Sequence, residues 1–207
     1  TNPRLRTAMQ NAKGTNMPKD TIERTIKKAS GVDGTSYEEV TFEGYASNGI
    51  AVFVECTTDN NNRTVANIRA IFSKYGGHLG TNGSLEFLFV RKGVFTIALG
   101  NVGLEMEEFE MELIDAGLEE IEKEDDIILV YTDFADFSPL QKKLEELSIE
   151  VQSAELQRIP TTSKTLGVDK SKSVLKMIDK FEDDEDVQHV FHNMELTEDI
   201  LQVMEKE

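Results

Sequence analysis

Residues 93–160, GVFTIALGNVGLEMEEFEMELIDAGLEEIEKEDDIILVYTDFADFSPLQKKLEELSIEVQSAELQRIP, decide the fold class. A strand is predicted over 93–99. Over 104–116 the period turns helical, with Met106, Phe109, Leu113 and Ala116 on one stripe and Gly117 as the stop. Strands follow over 118–122 and 126–132, the second through the apolar run Ile127 to Tyr131. Ser138-Pro139-Leu140-Gln141 reads as a capping box with proline at the first helical position. It opens a helix whose stripe is Leu140, Leu144 and Leu147, and a strand over 151–159 closes the stretch. The order βαββαβ is the ferredoxin-like arrangement, two helices on one face of an antiparallel sheet.

The flanking sequence reads as a second α/β domain that this one interrupts. Residues 50–57 alternate, with Ile50, Val52, Val54 and Cys56 on one face, after a hairpin turn at Ser47-Asn48-Gly49. A helix is predicted over 62–75, burying Val65, Ile68, Phe72 and Tyr75 and stopped by Gly76-Gly77. Residues 84–90 alternate again, which predicts a strand with Leu85, Phe87 and Phe89 inward. Beyond Pro160 come a helix over 170–181 (Val174, Met177, Ile178 and Phe181 inward), a strand over 187–192 and a short tail helix. One helix and one strand are what 41–90 lack, so 37–92 and 161–207 are expected to form one split domain around an inserted 93–160. The fold class is therefore α+β, with residues 1–36 as the remainder of an N-terminal helical domain and a linker over 31–36.

That N-terminal part is two short helices, 3–13 and 18–29. Their apolar stripes, Leu5, Ala8, Met9 and Ala12 in one and Ile22, Ile26 and Ala29 in the other, are too narrow to stand alone. The chain opens mid-pattern on Thr1, so the missing partner is expected upstream. Charge singles this part out. Residues 1–30 hold Arg4, Arg6, Lys13, Lys19, Arg24, Lys27 and Lys28 against Asp20 and Glu23, a net of +5 in a chain of −17. The remainder, with 15 basic and 37 acidic residues, carries −22. A basic arm on an acidic body suits a polyanion partner, DNA or RNA. On helix 62–75, Arg63 and Lys74 fall opposite the buried stripe and Arg69 at its flank, and these are expected to join the arm in one basic face.

Catalytic and metal chemistry find little support. The loop Gly76-Gly77-His78-Leu79-Gly80-Thr81-Asn82-Gly83 leaves a helix and enters a strand, the reverse of what a phosphate cradle needs. His189 and His192, three apart on a strand, point to opposite faces and do not pair as zinc ligands. Cys56 alternates with Val52 and Val54 as a small buried residue, and as the single cysteine it excludes an internal disulfide and suits a reducing compartment. Lys172, Lys176 and Lys180 form a stripe best read as a solvated face beside the acidic run 182–186. No apolar run reaches the roughly 20 residues of a membrane helix, and no charged-then-apolar leader opens the chain, so a cytoplasmic protein is expected. No catalytic residue, metal site, cofactor or obligatory small molecule is assigned.

Several strings resemble the YebC family, also called the PmpR or cytochrome-oxidase translational-activator family. They are Asn2-Pro3-Arg4-Leu5-Arg6, the run from Asn16 to Arg24, Glu43-Gly44-Tyr45, Asp59 to Val65, Phe72 to Gly77, Gly80-Thr81 and Val187 to Asn193. The resemblance spans the whole chain in order. Family members open with a basic Gly-His-Ser-Lys-Trp-like string that this chain, without any tryptophan, does not contain. The resemblance implies an N-terminal helical bundle, a split α/β domain and an inserted ferredoxin-like domain. It also implies a regulator of gene expression that is not an enzyme, acting on DNA in transcription or on messenger RNA or the ribosome in translation. Two other classes compete: an effector-sensing regulatory module and an enzyme, for which the sequence offers no nucleophile or carboxylate pair.

Overall fold

A computed structural model describes residues 2–29 and 36–204, with the side chains of Pro3, Lys28, Ala29, Val203 and Met204 outside that description. Helices and two four-stranded sheets make it an α+β protein. The chain divides into two compact units, Thr1–Asp33 with Arg91–Arg158, and Gly34–Val90 with Ile159–Glu207. They are called the ferredoxin-like unit and the split unit below. Residues 31–35 of the predicted linker lie outside the described residues.

In the split unit, β1 (Glu38–Tyr45) and β2 (Ala51–Thr58) form an antiparallel hairpin, and Tyr45 pairs with Ala51 across its mouth. The turn is a short 3-10 segment with Asn48 at φ 61° and Gly49 at φ 72°. Helix α3 (Asn61–Lys74) follows, capped by the Asn60 side chain, which accepts from the Arg63 amide. It ends where Gly76, at φ 77°, lets the Gly76 and Gly77 amides fold back onto the Ser73 and Phe72 carbonyls at 3.3 and 2.8 Å. The third strand is not 84–90 but the two-residue β3 (His78–Leu79), paired antiparallel with the end of β1. Residues 86–88 instead form a 3-10 turn, and Phe87 is 71% exposed where the alternation predicts it inward. Glu43 explains the difference. Its buried carboxylate accepts from the Gly83 and Leu85 amides at 2.7 and 2.6 Å, a pull that holds 80–85 as a loop. One amide of the glycine loop, that of Gly83, does meet a carboxylate, but the carboxylate is the chain's own.

The first half of β2 is buried on both faces of the sheet, so Ala51–Val54 are apolar on both sides rather than alternating. Val52, Val54 and Cys56 pack under α3 and the later helix α6 (Val168–Glu182) with Phe72, Met177 and Phe181. On the other face Ala51 and Phe53 meet Leu85 and Phe89. Strand β8 (Val187–His192) completes the order β3-β1-β2-β8.

The ferredoxin-like unit follows its sequence pattern closely. The element order is β4 (Phe89–Ala98), α4 (Met106–Ile114), β5 (Leu118–Glu124), β6 (Ile127–Asp133), α5 (Phe137–Glu146) and β7 (Val151–Pro160). The sheet order is β5-β6-β4-β7, that of the ferredoxin-like fold. Phe109 and Leu113 of α4 and Leu140 and Leu144 of α5 close one core with Phe95, Ile97, Ile128, Val130 and Val151. The capping box does not form: α5 starts at Phe137, one residue before Ser138, and its N-cap is Asp136 without a side-chain bond. A short helix, α7 (Glu198–Met204), ends the described chain.

The N-terminal helices are α1 (Pro3–Gly14) and α2 (Lys19–Ala29). The partner expected upstream for α1 is found within the chain. Thr7, Gln10, Asn11 and Gly14 recur at helical spacing and form a polar docking stripe. The Asn11 amide donates to the Ala154 carbonyl at 3.0 Å and its oxygen accepts from the Ala154 amide at 2.9 Å, completing the β7 edge as a neighbouring strand would. Gln141 of α5 donates to Gln10 at 3.0 Å, and Gly14 passes so close to β7 that a Cβ there would stand 2.0 Å from the Gln152 carbonyl oxygen.

Candidate nucleic-acid surfaces

With its polar stripe committed to β7 and α5, α1 turns Arg6 and Lys13 to its flank, and Arg4, Arg6 and Lys13 are all exposed. In α2, Ile22 is the buried anchor at 7% exposure. At 100° per residue Arg24 and Lys27 fall 200° and 140° away from Ile22, on the outer face. Lys19 is exposed and paired loosely with Glu23 at 3.6 Å. Lys28 belongs to α2, and its side chain lies outside the described residues.

Arg63, Arg69 and Lys74 sit in the split unit, not in the unit that carries the basic arm. Arg69 and Lys74 are exposed on α3, and the Lys74 ammonium lies 5.5 Å from the Tyr75 ring centroid. Arg63 is engaged. Its guanidinium donates to both oxygens of Asp186 at 2.8 and 2.9 Å and to Asp59 at 2.9 Å. Asp186 is buried at 7% exposure, and the Thr64 hydroxyl lies 2.8 Å from both its Oδ2 and the Thr58 hydroxyl. Burial alone would raise the Asp186 carboxyl, but the hydrogen bonds from Arg63 and Thr64 outweigh it and hold the group below its ordinary value. This bridge ties the start of α3 to the acidic run before β8. Sequence reading could place Arg63 on an outer face but had no signal for a partner 123 residues away.

The remaining reactive side chains occupy structural positions. Cys56 is in the core, where burial and then the Asp184, Asp186 and Glu55 carboxylates push its thiol up to about 12. His189 stacks at 5.8 Å on Phe191, which packs with the Phe53 cluster. The half-buried His192 lies three residues on, on the other side of β8, and burial pushes it below its ordinary value against a bond to the Met194 backbone. Among the described residues no three His, Cys, Asp or Glu side chains gather as metal ligands, and no helix is long and apolar enough to cross a membrane. Between α4 and α5 runs an open groove of about 450 Å³ lined by Met111, Ala116 and Pro139. Four of its charges form the Lys143–Glu112 and Lys142–Glu146 pairs, and Asp115 is the other charged residue of the lining.

Known proteins resemble the chain over nearly its whole length. Residues 1–32 match the TACO1/YebC protein N-terminal domain, and residues 37–194 match the TACO1/YebC second and third domain. A protein of Cytophaga hutchinsonii named a probable transcriptional regulatory protein is 57% identical over 96% of this chain and 82% of its own length. One of Parabacteroides distasonis with the same name is 53% identical over 93% and 79%. The crystal structure of a conserved hypothetical protein from Aquifex aeolicus superposes with a TM-score of 0.81 at 37% identity, covering 97% of this chain and 83% of that one.

Proposed function

The chain belongs to the TACO1/YebC family, and on that premise we propose that it is a cytoplasmic nucleic-acid-binding regulator of gene expression that acts by binding alone. The observation that carries the reading is the outer face of α2. A chain of net charge −17 presents Arg24 and Lys27 there, opposite the anchor Ile22, with exposed Arg4, Arg6, Lys13 and Lys19 in the same unit. The regulatory names of its relatives support it. Lys28 joins this set by its position in α2, and Arg69 and Lys74 extend it in the split unit, whereas Arg63 is taken up by its two carboxylates. The partner is DNA or RNA, the ribosome included, and no cofactor or small molecule is required.

Fluorescence anisotropy with duplex DNA and with RNA, run across salt concentrations, tests this. Affinity should fall linearly on a log–log salt plot, and Arg24→Glu with Lys27→Glu should weaken binding by about tenfold or more at low salt. The slope should become shallower by roughly 0.7–0.9 for each phosphate that the variant no longer neutralises. A double variant that binds like the parent protein would overturn the assignment to α2.

A further inference from the structure

Outside its first 30 residues the chain is strongly acidic, yet one end of the split unit collects lysines and aromatic rings. Four segments meet there. The Ser47 hydroxyl lies 2.6 Å from that of Ser173 in α6, and the Asn48 amide donates to the Lys170 carbonyl at 3.4 Å. The Lys164 ammonium sits over the same turn, 3.1 Å from where a Cβ on Gly49 would stand. A Cβ on Gly77 would stand 2.5 Å from the Tyr45 carbonyl oxygen, which brings the end of α3 to this rim as well. Tyr45 and His78 pair across β1 and β3 with ring centroids 5.7 Å apart, and Lys74 approaches the Tyr75 ring at 5.5 Å. Lys74, His78, Lys164 and Lys170 are exposed, and Tyr45 and Tyr75 are half-buried.

Two carboxylates share this rim, Asp169 at 3.5 Å from Lys172 and Glu195 beside the Thr165 hydroxyl, and Lys74, Lys164, Lys170 and Lys172 outnumber them. The acidic run 182–186 and Asp59 lie at the opposite end of α6 and α3. The unit is thus electrically polar along its helices, acidic at one end and lysine-rich at the aromatic end.

Resting on the nucleic-acid reading above, we propose that this rim is a second contact, one that takes unstacked bases of a single-stranded nucleic acid. Lys74, Lys164 and Lys170 meet its phosphates, while His78 and Tyr75 offer ring faces to its bases. A duplex keeps its base faces inside the stack and presents only edges and phosphates, so the exposed His78 ring and the half-buried Tyr75 ring beside lysines match a single strand better than a double one. Stacking accepts any base, which suits a site built from rings and cations.

The composition supplies the readout. With no tryptophan and four tyrosines, intrinsic emission comes from tyrosine alone, and a base stacked on Tyr75 quenches it. The probes are a 12-nucleotide oligouridylate, an oligothymidylate of equal length, duplex DNA and polyglutamate. The oligouridylate should bind with quenching, and His78→Ala and the pair Lys74→Glu with Lys170→Glu should each weaken it by about tenfold or more. Tyr75→Leu should remove the quench; because Tyr75 packs against the core, its melting curve is taken too, and the exposed His78 carries the test if that variant is unstable. Quenching by RNA alone assigns a 2′-hydroxyl contact, and quenching by both oligonucleotides assigns stacking alone; either supports the proposal. Variants that bind the single strands like the parent, duplex preferred without quenching, or polyglutamate bound equally well would overturn it while leaving the α2 surface standing. No binding to any nucleic acid at low salt would remove both readings.

Discussion

Arg63 and Asp186 show what a side chain seen on a helical wheel leaves unsaid. The guanidinium is half-exposed and reads as a surface cation, but it is bonded to both oxygens of a buried carboxylate. Asp186 is held below its ordinary value, so the stability it contributes is complete above the unfolded carboxyl range and is lost as pH falls through the folded value. Arg63→Ala leaves a buried carboxylate with only its threonine partners, so it should lower the urea midpoint clearly at pH 7. As pH falls below the ordinary carboxylate range and through the lowered value that Asp186 holds in the parent protein, the carboxylate protonates in both proteins and their midpoints should converge. A difference that stays constant as pH falls right through the ordinary carboxylate range and below it would mean that Arg63 acts through packing instead. At this scale the candidate site was only partly legible. Type and face could be read for Arg24, Lys27, Arg69 and Lys74, because helical period alone decides them. The partner of Arg63 and the loop amides around Glu43 come from distant segments, which no local pattern encodes.

Helix α1 makes a prediction that its sequence would reverse. Alanine for glycine inside a helix ordinarily stabilises it by up to about 1 kcal/mol. At Gly14 the added Cβ would stand 2.0 Å from the Gln152 carbonyl oxygen, so Gly14→Ala must push α1 off the β7 edge. Destabilisation by about 1–3 kcal/mol is expected, with faster hydrogen exchange at the Ala154 amide that Asn11 now accepts from. Stabilisation, with exchange at Ala154 unchanged, would show that the close approach is not needed. The elements themselves were largely legible: the helices over 104–116 and 170–181, the helix opening at Ser138 and the strands over 126–132 and 187–192 lie within a few residues of α4, α6, α5, β6 and β8. Where reading failed, two signals competed. Residues 84–90 alternate like a strand, but the buried Glu43 carboxylate bonds to two amides of the adjoining segment and turns Phe87 outward. In α1 the apolar stripe predicts the docking face, whereas Thr7, Gln10 and Asn11 make the bonds that hold the helix in place.

Across the whole molecule, the two cores share no residue. Among the described residues, the ferredoxin-like core draws every buried member from between Phe95 and Ala154, and α1 and α2 add none. What α1 supplies is a cover for an edge: β7 is the outer strand of β5-β6-β4-β7, and Asn11 takes up the Ala154 donor and acceptor that would otherwise face solvent. These two facts separate foldability from solubility. Residues 89–160 expressed alone hold a complete core and should unfold in urea as one cooperative transition, with near-ultraviolet circular dichroism and fluorescence changing together. A chain of this size buries a modest share of its surface, so its midpoint should lie below that of the ferredoxin-like unit in the intact protein. Its uncovered β7 edge should also make it self-associate as concentration rises, as sedimentation velocity would report. A synthetic peptide spanning α1 should suppress that association, and the same peptide with Asn11→Leu should not. A monomer with an intact transition and no response to the peptide would show that the edge needs no cover; a non-cooperative, dye-binding product would show that the N-terminal helices belong to the folding unit and not merely to its surface.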